Sequence, residues 1–133
     1  MWLAMDRVQI REWSNRVDDL LFQCERTSSL PADLLREAHE ILTLGPAKVC
    51  GSIRPDLSRS SLQFLLDDGA FESAAIRLVR KCSYMLSGTP NGIIIASVAL
   101  PNSEHDYSHG GTSEAVALCG ALATAIQAAL SLE

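Results

Sequence analysis

The residues from Gly110 to Leu130 constrain the fold more than any other stretch of the chain. They read Gly-Gly-Thr-Ser-Glu-Ala-Val-Ala-Leu-Cys-Gly-Ala-Leu-Ala-Thr-Ala-Ile-Gln-Ala-Ala-Leu. At 3.6 residues per turn the only polar stripe is Ser113, Thr124, Gln127 and Ser131, with Ala117 and Gly120 between them. A helix that is apolar on nearly every side is a buried helix. Its small side chains let neighbouring backbones approach closely, so a sheet is expected on one side and helix or a second subunit on another. The polar residues within it favour a core helix over a membrane span.

The chain has 133 residues, a length that reads as a single domain (1–133) able to bury a core without metal or disulfides. A net charge of −5 provides no general electrostatic footprint for nucleic acid, so neither nucleic acid nor membrane is an expected partner. Cys24, Cys50, Cys82 and Cys119 form no Cys-x-x-Cys pair. With no secretory segment at the start, they are expected to be reduced, buried thiols in a cytoplasmic protein. Met1 to Met5 is short and apolar and is assigned no function.

Residues 6–44 are expected to form a helical hairpin. Ile10, Trp13, Val17, Leu20 and Cys24 recur at steps of three and four, the seam of an amphipathic helix. That seam is too short to stand alone and must dock, either on its own domain or on the same helix of a second copy, and a second copy would cover what one chain cannot. Ile10, Trp13, Val17 and Leu20 are therefore assigned to an interface with a second copy, with Trp13 its anchor, and the chain is expected to be a homo-oligomer. Pro31 suits the first turn of the second helix, whose inner face is Leu34, Leu35, Ala38, Ile41 and Leu42, and Leu44-Gly45-Pro46 stops it. His39 beside that face is expected to be a satisfied or exposed histidine rather than a ligand. Residues 45–57 read as a connector.

Residues 58–133 are expected to be a helix-strand-strand-helix core. Ser60 and Gln63 have capping-box spacing, Leu62, Leu65 and Leu66 supply a buried side, and Gly69 ends that helix. From Ala74 the alternation of Ile76, Leu78, Cys82, Tyr84 and Leu86 against Arg77, Val79, Lys81, Ser83 and Met85 predicts a strand, with Arg80 near a sheet edge. Ser87 to Gly92 is a turn, with Asn91-Gly92 its strongest signal. Gly92 to Leu100 is a second strand, apolar enough to imply cover on both faces. The expected fold is α/β (α+β): an antiparallel sheet of two to three strands between the N-terminal helices and a buried alanine-rich C-terminal helix.

Only one segment, Glu104 to Ser113, concentrates polar chemistry, and it reads as a loop. His105 and His109 would share a face only on a helix, which Gly110-Gly111 disfavours, so no metal site is assigned. An anion is the more physical ligand. Gly110 and Gly111 leave backbone N–H groups open, Thr112 or Ser113 caps the following helix, and a helix start is partly positive. The candidate ligand-binding residues are His105, Tyr107, His109, Gly110, Gly111, Thr112 and Ser113, with Arg77 and Lys81 as basic partners. No motif for hydrolysis, phosphate binding or dinucleotide binding is present. Neither a catalytic residue nor a cofactor is assigned, and the chain is expected not to be an enzyme.

Five segments in order carry a resemblance: Val17-Asp18-Asp19-Leu20-Leu21, Leu35-Arg36-Glu37-Ala38, Leu57-Ser58-Arg59-Ser60-Ser61-Leu62, Ala96-Ser97-Val98, and Gly111-Thr112-Ser113 running on to Ala117-Leu118-Cys119-Gly120-Ala121-Leu122. The chain resembles the small phage and prophage proteins grouped as the phage ABA sandwich domain. That resemblance implies an accessory product acting inside a bacterial cell, and an acidic surface with exposed apolar seams favours one that works in the host cytoplasm by binding a host protein. The alternatives are a binder that sequesters a small anionic ligand such as a nucleotide signal, and a hydrolase or transferase using residues 105–113.

Overall fold

The computed structural model describes residues 5–26 and 29–131. Helix α1 spans Arg7–Cys24 and opens with a capping box, in which the Asp6 carboxylate accepts from the Gln9 N–H and the Gln9 side chain accepts from the Asp6 N–H. Helix α2, Pro31–Leu44, starts on Pro31, whose missing N–H costs nothing in a first turn. The partners of α1 descend along α2 as α1 ascends, so the two are antiparallel. The Trp13 indole N–H donates to the Ile41 carbonyl at 2.9 Å, and Arg16 grips Glu37 at 2.8 and 3.0 Å and Glu40 at 2.6 Å. The hairpin of 6–44 is present.

Its seam does not face outward. Trp13, Val17 and Leu20 are buried inside the chain itself, against α2 and the C-terminal helix, and only Ile10 is half-exposed. The interface role expected for Ile10, Trp13, Val17 and Leu20 is corrected accordingly. The need of that helix to dock is met within one copy.

The Arg16 cluster gives α1 and α2 a pH-dependent tie. Hydrogen bonding to Arg16 is the main cause that holds the Glu40 carboxyl below its ordinary value of 4.5. A carboxyl depressed on folding contributes stability that is present above its unfolded value and lost as pH falls through the folded one. Acid titration of Glu40→Gln should therefore show a shallower loss of stability below about pH 4.5 than the parent. An unchanged acid limb, followed by circular dichroism, would count against this.

The connector of 45–57 holds one short helix, α3, Ala47–Cys50, and it is well anchored. Cys50, Ile53 and Leu57 are buried, and the Arg54 guanidinium donates to the carbonyls of Leu42, Thr43 and Gly45. Those are the carbonyls left without helical partners at the end of α2, so the connector acts as its C-terminal cap. Gly45 is required there: a Cβ would lie 2.6 Å from Cys50 Sγ and from Trp13 Cζ2. His39 is buried and paired, its Nε2 lying 2.6 Å from the Leu57 carbonyl oxygen.

Helix α4, Arg59–Asp67, is capped by Ser58, whose hydroxyl accepts from the Ser61 N–H, and ends at Gly69 with φ +73°. The cap lies two residues before the Ser60 expected from the sequence. The strand expected from Ala74 is instead helix α5, Phe71–Leu78. Ala74, Ala75 and Leu78 are its buried residues, an i, i+1, i+4 set that faces one side of a helix. Over so few residues the alternation of Ile76 and Leu78 fits both periods, and packing on the C-terminal helix decides for the helical one. Arg80 is exposed in the turn after α5, not at a sheet edge.

Strand β1 is Ser83–Gly88, β2 is Ile94–Ala99, and β3 is Tyr107–Gly111. They form one antiparallel sheet in the order β1-β2-β3, with Leu86 opposite Ala96 and Ala96 opposite His109. Asn91-Gly92 makes the first turn as expected, Gly92 taking φ +83°. The third strand replaces the loop expected over 104–113. Gly110 and Gly111 pair with Ile95 and Ile94 rather than opening a helix.

Helix α6, Glu114–Ser131, is the centre of the molecule. It lies on β2 and β3 with one side and on α1, α2 and α5 with others. Eleven of its residues are buried, including Leu118, Leu122 and Ile126. By length and composition it is apolar enough to cross a membrane, with mean hydropathy 1.5, and its burial fits the core of a soluble protein. The mixed α+β fold is as expected. The layers are sheet, then α6, then N-terminal helices, and this corrects the expected cover on both faces of β2. Ala96 and Val98 face α6 and are buried, while Ile95 on the other face is exposed.

Candidate functional site

Residues 105–113 do not form one site. In extended chain His105 and His109 are four residues, roughly 13 Å, apart. Tyr107 and His109 point toward α6 from the inner face of β3, opposite Val98 and Ala96. The His109 ring lies against Gly120, where any Cβ would overlap it, and its Nδ1 is buried without a hydrogen-bond partner. Gly111 is a glycine for a packing reason: a Cβ there would lie 2.9 Å from the Ala117 nitrogen and 3.1 Å from Val116 Cγ1.

Two clefts flank this strand. One, of about 450 Å³, is bounded by the end of α1 at Glu25 and Arg26 and by His109, Gly110, Gly111 and Thr112. The other, of about 700 Å³, runs between α3 and the far half of α6, with His105, Tyr107, Glu104 and Lys48 beside an apolar floor of Leu100, Ala125 and Ala129. The expected ligand residues are thus divided. His109 to Thr112 share the first cleft and His105 and Tyr107 the second.

The remaining expected residues lie elsewhere. Ser113 caps α6, accepting from the Val116 N–H at 3.3 Å, and Glu114 occupies the first turn, so the positive end of the helix already has a cap and a carboxylate. Arg77 donates to the Asp56 carbonyl oxygen at 3.2 Å and Lys81 lies 3.3 Å from the Asp56 carboxylate. Neither lines the cleft at Gly111, so they are not basic partners for an anion there. Arg26, which was not among the residues expected from the sequence, is the cation that borders it, with its guanidinium 5.8 Å from the centre of the Phe22 ring.

All four thiols are buried and unpaired. Burial is the main cause that pushes Cys24 and Cys50 up to about 12 and Cys82 up to about 11, and it raises Cys119 well above 9.0. The thiolate is the nucleophile, so Cys24 at the wall of the first cleft is inert near neutral pH. A disulfide reagent should therefore label no thiol of the native protein and all four after denaturation. Rapid labelling of Cys24 in the folded state is the result that would refute it. Raised thiols also set a sign: the unfolded chain ionises first, so stability falls as pH rises above about 9.

Among the described residues no group of three or more His, Cys, Asp and Glu side chains is placed to hold a metal ion. The remaining distinctive surface is apolar. Of the nine exposed large hydrophobics among the described residues, Tyr84, Met85, Ile93 and Ile95 all belong to the β1–β2 hairpin. The alternation of the ladder sets Met85, Ile95, Ser97, Ser108 and Gly110 on the outer face, away from α6, and that face carries no charged side chain. The signal was present in the period of β2, where every second residue is Ile95, Ser97 and Ala99.

Fold and surface together define a small α+β protein built round one buried helix, with a sheet face that the described residues leave uncovered. No family model matches the sequence, and no curated protein or solved structure matches it.

Proposed function

We propose that this chain is a non-enzymatic binding protein that engages a partner protein through the outer face of its sheet. The observation that carries this reading is the exposed apolar surface there: Met85 is 67 % and Ile95 40 % exposed, on a face whose strand positions carry no charge. Contiguous apolar surface of this kind marks interaction sites, because leaving it in water is unfavourable. Ser97, Ser108 and Gly110 keep the adjoining part of the face low, so a partner meets a flat surface with a ridge of large residues. In the phage accessory role that the sequence resembles, that partner is a host protein of the bacterial cytoplasm.

Ile95→Glu tests this directly. Ile95 is partly exposed and its side chain leaves the core untouched, so the variant should fold with stability within about 0.5 kcal/mol of the parent. Tagged parent protein should retain a partner from bacterial lysate that Ile95→Glu loses. Phe64→Glu, on the exposed side of α4, should retain it. Identical captures by parent and Ile95→Glu would end this reading.

One observation favours a second reading, a small anionic ligand in the cleft beside Arg26. Arg26, His109 and Thr112 border the same space of about 450 Å³. A nucleotide that raises the melting temperature of the parent but not of Arg26→Ala would move the functional site there. The hydrolase or transferase reading has less support, since His105 and His109 line different clefts.

A further inference from the structure

Among the described residues, strand β1 is covered by its own chain on one side only. Five of its six residues are exposed and Leu86 is half-buried. The sheet rests on α6 through β2 and β3, and β1 extends past it, which is why Tyr84 on the inner face remains 42 % exposed while Val98 opposite it is buried. The free edge also lacks the usual guards. Edge strands are normally blunted by charge, proline or a bulge. The segment Ser83-Tyr84-Met85-Leu86-Ser87-Gly88 has neither charge nor proline, and its register with β2 is unbroken from Ser83 to Gly88.

The direction of the free backbone groups follows from the hairpin. The Thr89 N–H donates to the carbonyl of Ile93 directly opposite it, at 3.0 Å. Hydrogen-bonded pairs recur at every second residue of an antiparallel ladder. Ser87, Met85 and Ser83 therefore turn their backbone groups toward β2, and Tyr84, Leu86 and Gly88 turn theirs outward. These three positions are symmetric about Leu86.

We infer that β1 pairs with β1 of a second copy, antiparallel about a two-fold axis at Leu86, so that two sheets join into one of six strands. In that register Tyr84 meets the partner's Gly88, Leu86 meets the partner's Leu86, and Gly88 meets the partner's Tyr84. Every outward N–H and C=O of the three positions gains a partner. Directly opposed residues of an antiparallel pair share a face, so both α6 helices lie on the same side of the joined sheet. Tyr84 and Leu86 of the two copies then cover one another where α6 does not reach. The absence of charge on β1 matters for this occupant, because a strand that pairs with its own copy across a two-fold axis would bring any charge it carried close to the same charge. This pairing uses the strand edge, whereas the proposed partner protein uses the outer face, so either stands without the other.

Sedimentation velocity and hydrogen exchange on the full chain test it. At about 100 μM the protein should sediment at twice its chain mass. The amides of Tyr84, Leu86 and Gly88 should be protected at that concentration and exchange freely on dilution, with Met85 and Ser87 protected throughout. Tyr84→Pro removes one outward N–H and no bond to β2, and should raise the dimer dissociation constant at least tenfold. Ile95→Glu, on β2, should leave the dimer intact. A monomer at about 100 μM overturns the inference. So does a dimer in which Tyr84, Leu86 and Gly88 exchange freely, which would mean a different interface. If Tyr84→Pro fails to fold by circular dichroism, the exchange pattern of the parent decides. If an extended peptide from another protein occupies this edge instead, the isolated chain is monomeric and the pairing between copies is refuted.

Discussion

Trp13→Ala should lower the unfolding free energy by about 3–5 kcal/mol, the range for removing a large aromatic from a core. Trp13 is 3 % exposed, and its indole ring closes the space between α1, α2 and the turn at Gly45. Two losses add in the variant. The ring leaves a cavity that the capped end of α2 is too constrained to fill, and the Ile41 carbonyl loses the indole N–H that it accepts from at 2.9 Å. A domain of this size has a total stability of roughly 5–15 kcal/mol, so the loss should be visible as a large fall in the denaturant midpoint. The effect should not depend on protein concentration, because the indole ring packs and hydrogen-bonds within its own chain. A Trp13→Ala protein of parental stability that merely dissociates would restore the interface role expected from the sequence. Trp13→Phe should recover more than half of the loss, since it refills most of the volume without the N–H.

Gly120→Val should cost about 3 kcal/mol, at the upper end of overpacking effects. Glycine in the middle of a helix is otherwise unfavourable by roughly 1 kcal/mol relative to alanine, so its presence in α6 calls for a packing reason. That reason is His109, whose ring occupies the volume of any Cβ at position 120. The pair makes a sharp test by double-mutant cycle. Gly120→Ala should destabilise the parent, where the new methyl group meets the imidazole. In a His109→Ala background the ring is gone, and the same substitution should stabilise by up to about 1 kcal/mol through helix propensity. Gly120→Ala acting identically in both backgrounds would show that the ring is not what position 120 accommodates. The same contact accounts for the unpartnered Nδ1 of His109, which is pressed between strand and helix.

Where the helical pattern was long, residues alone were sufficient. Trp13, Val17, Leu20 and Cys24 recur over an entire helix, and the buried apolar positions of α2 match the expected set of Leu34, Leu35, Ala38, Ile41 and Leu42, with His39 buried beside them. The Pro31 start of α2, the Ser113 cap of α6 and the Asn-Gly turn are decided by backbone geometry within a few residues, so they too were legible, whereas α4 is capped by Ser58 and not by the expected Ser60. Short segments were not. Phe71 to Leu78 and Tyr107 to Gly111 each hold too few residues to separate one period from another. In the first case the neighbouring helices select helix. In the second the free edge of β2 recruits a strand that Gly-Gly would not form unaided.

The candidate site divided along the same line. His105, Tyr107, His109, Gly110 and Gly111 are adjacent in sequence, and adjacency made them look like one loop. Strand geometry sends Tyr107 and His109 inward, places His105 and Tyr107 in one cleft and His109 in another, and leaves Arg77 and Lys81 at Asp56.

The sequence by itself determined that the last helix is buried, because an alanine-rich helix with so narrow a polar stripe cannot remain in water at low cost. It also determined the hairpin of α1 and α2, since periodicity is a local property that each helix carries with it. Only the tertiary structure decided what covers α6, and hence which apolar surface is left over. The helices α1, α2 and α5 and the inner face of the sheet all compete for that one helix. Once they surround it, the seam of α1 is closed and the outer face of β2 and the edge of β1 remain open. Burial is a contest between surfaces far apart in the chain, and no local pattern records which of them wins.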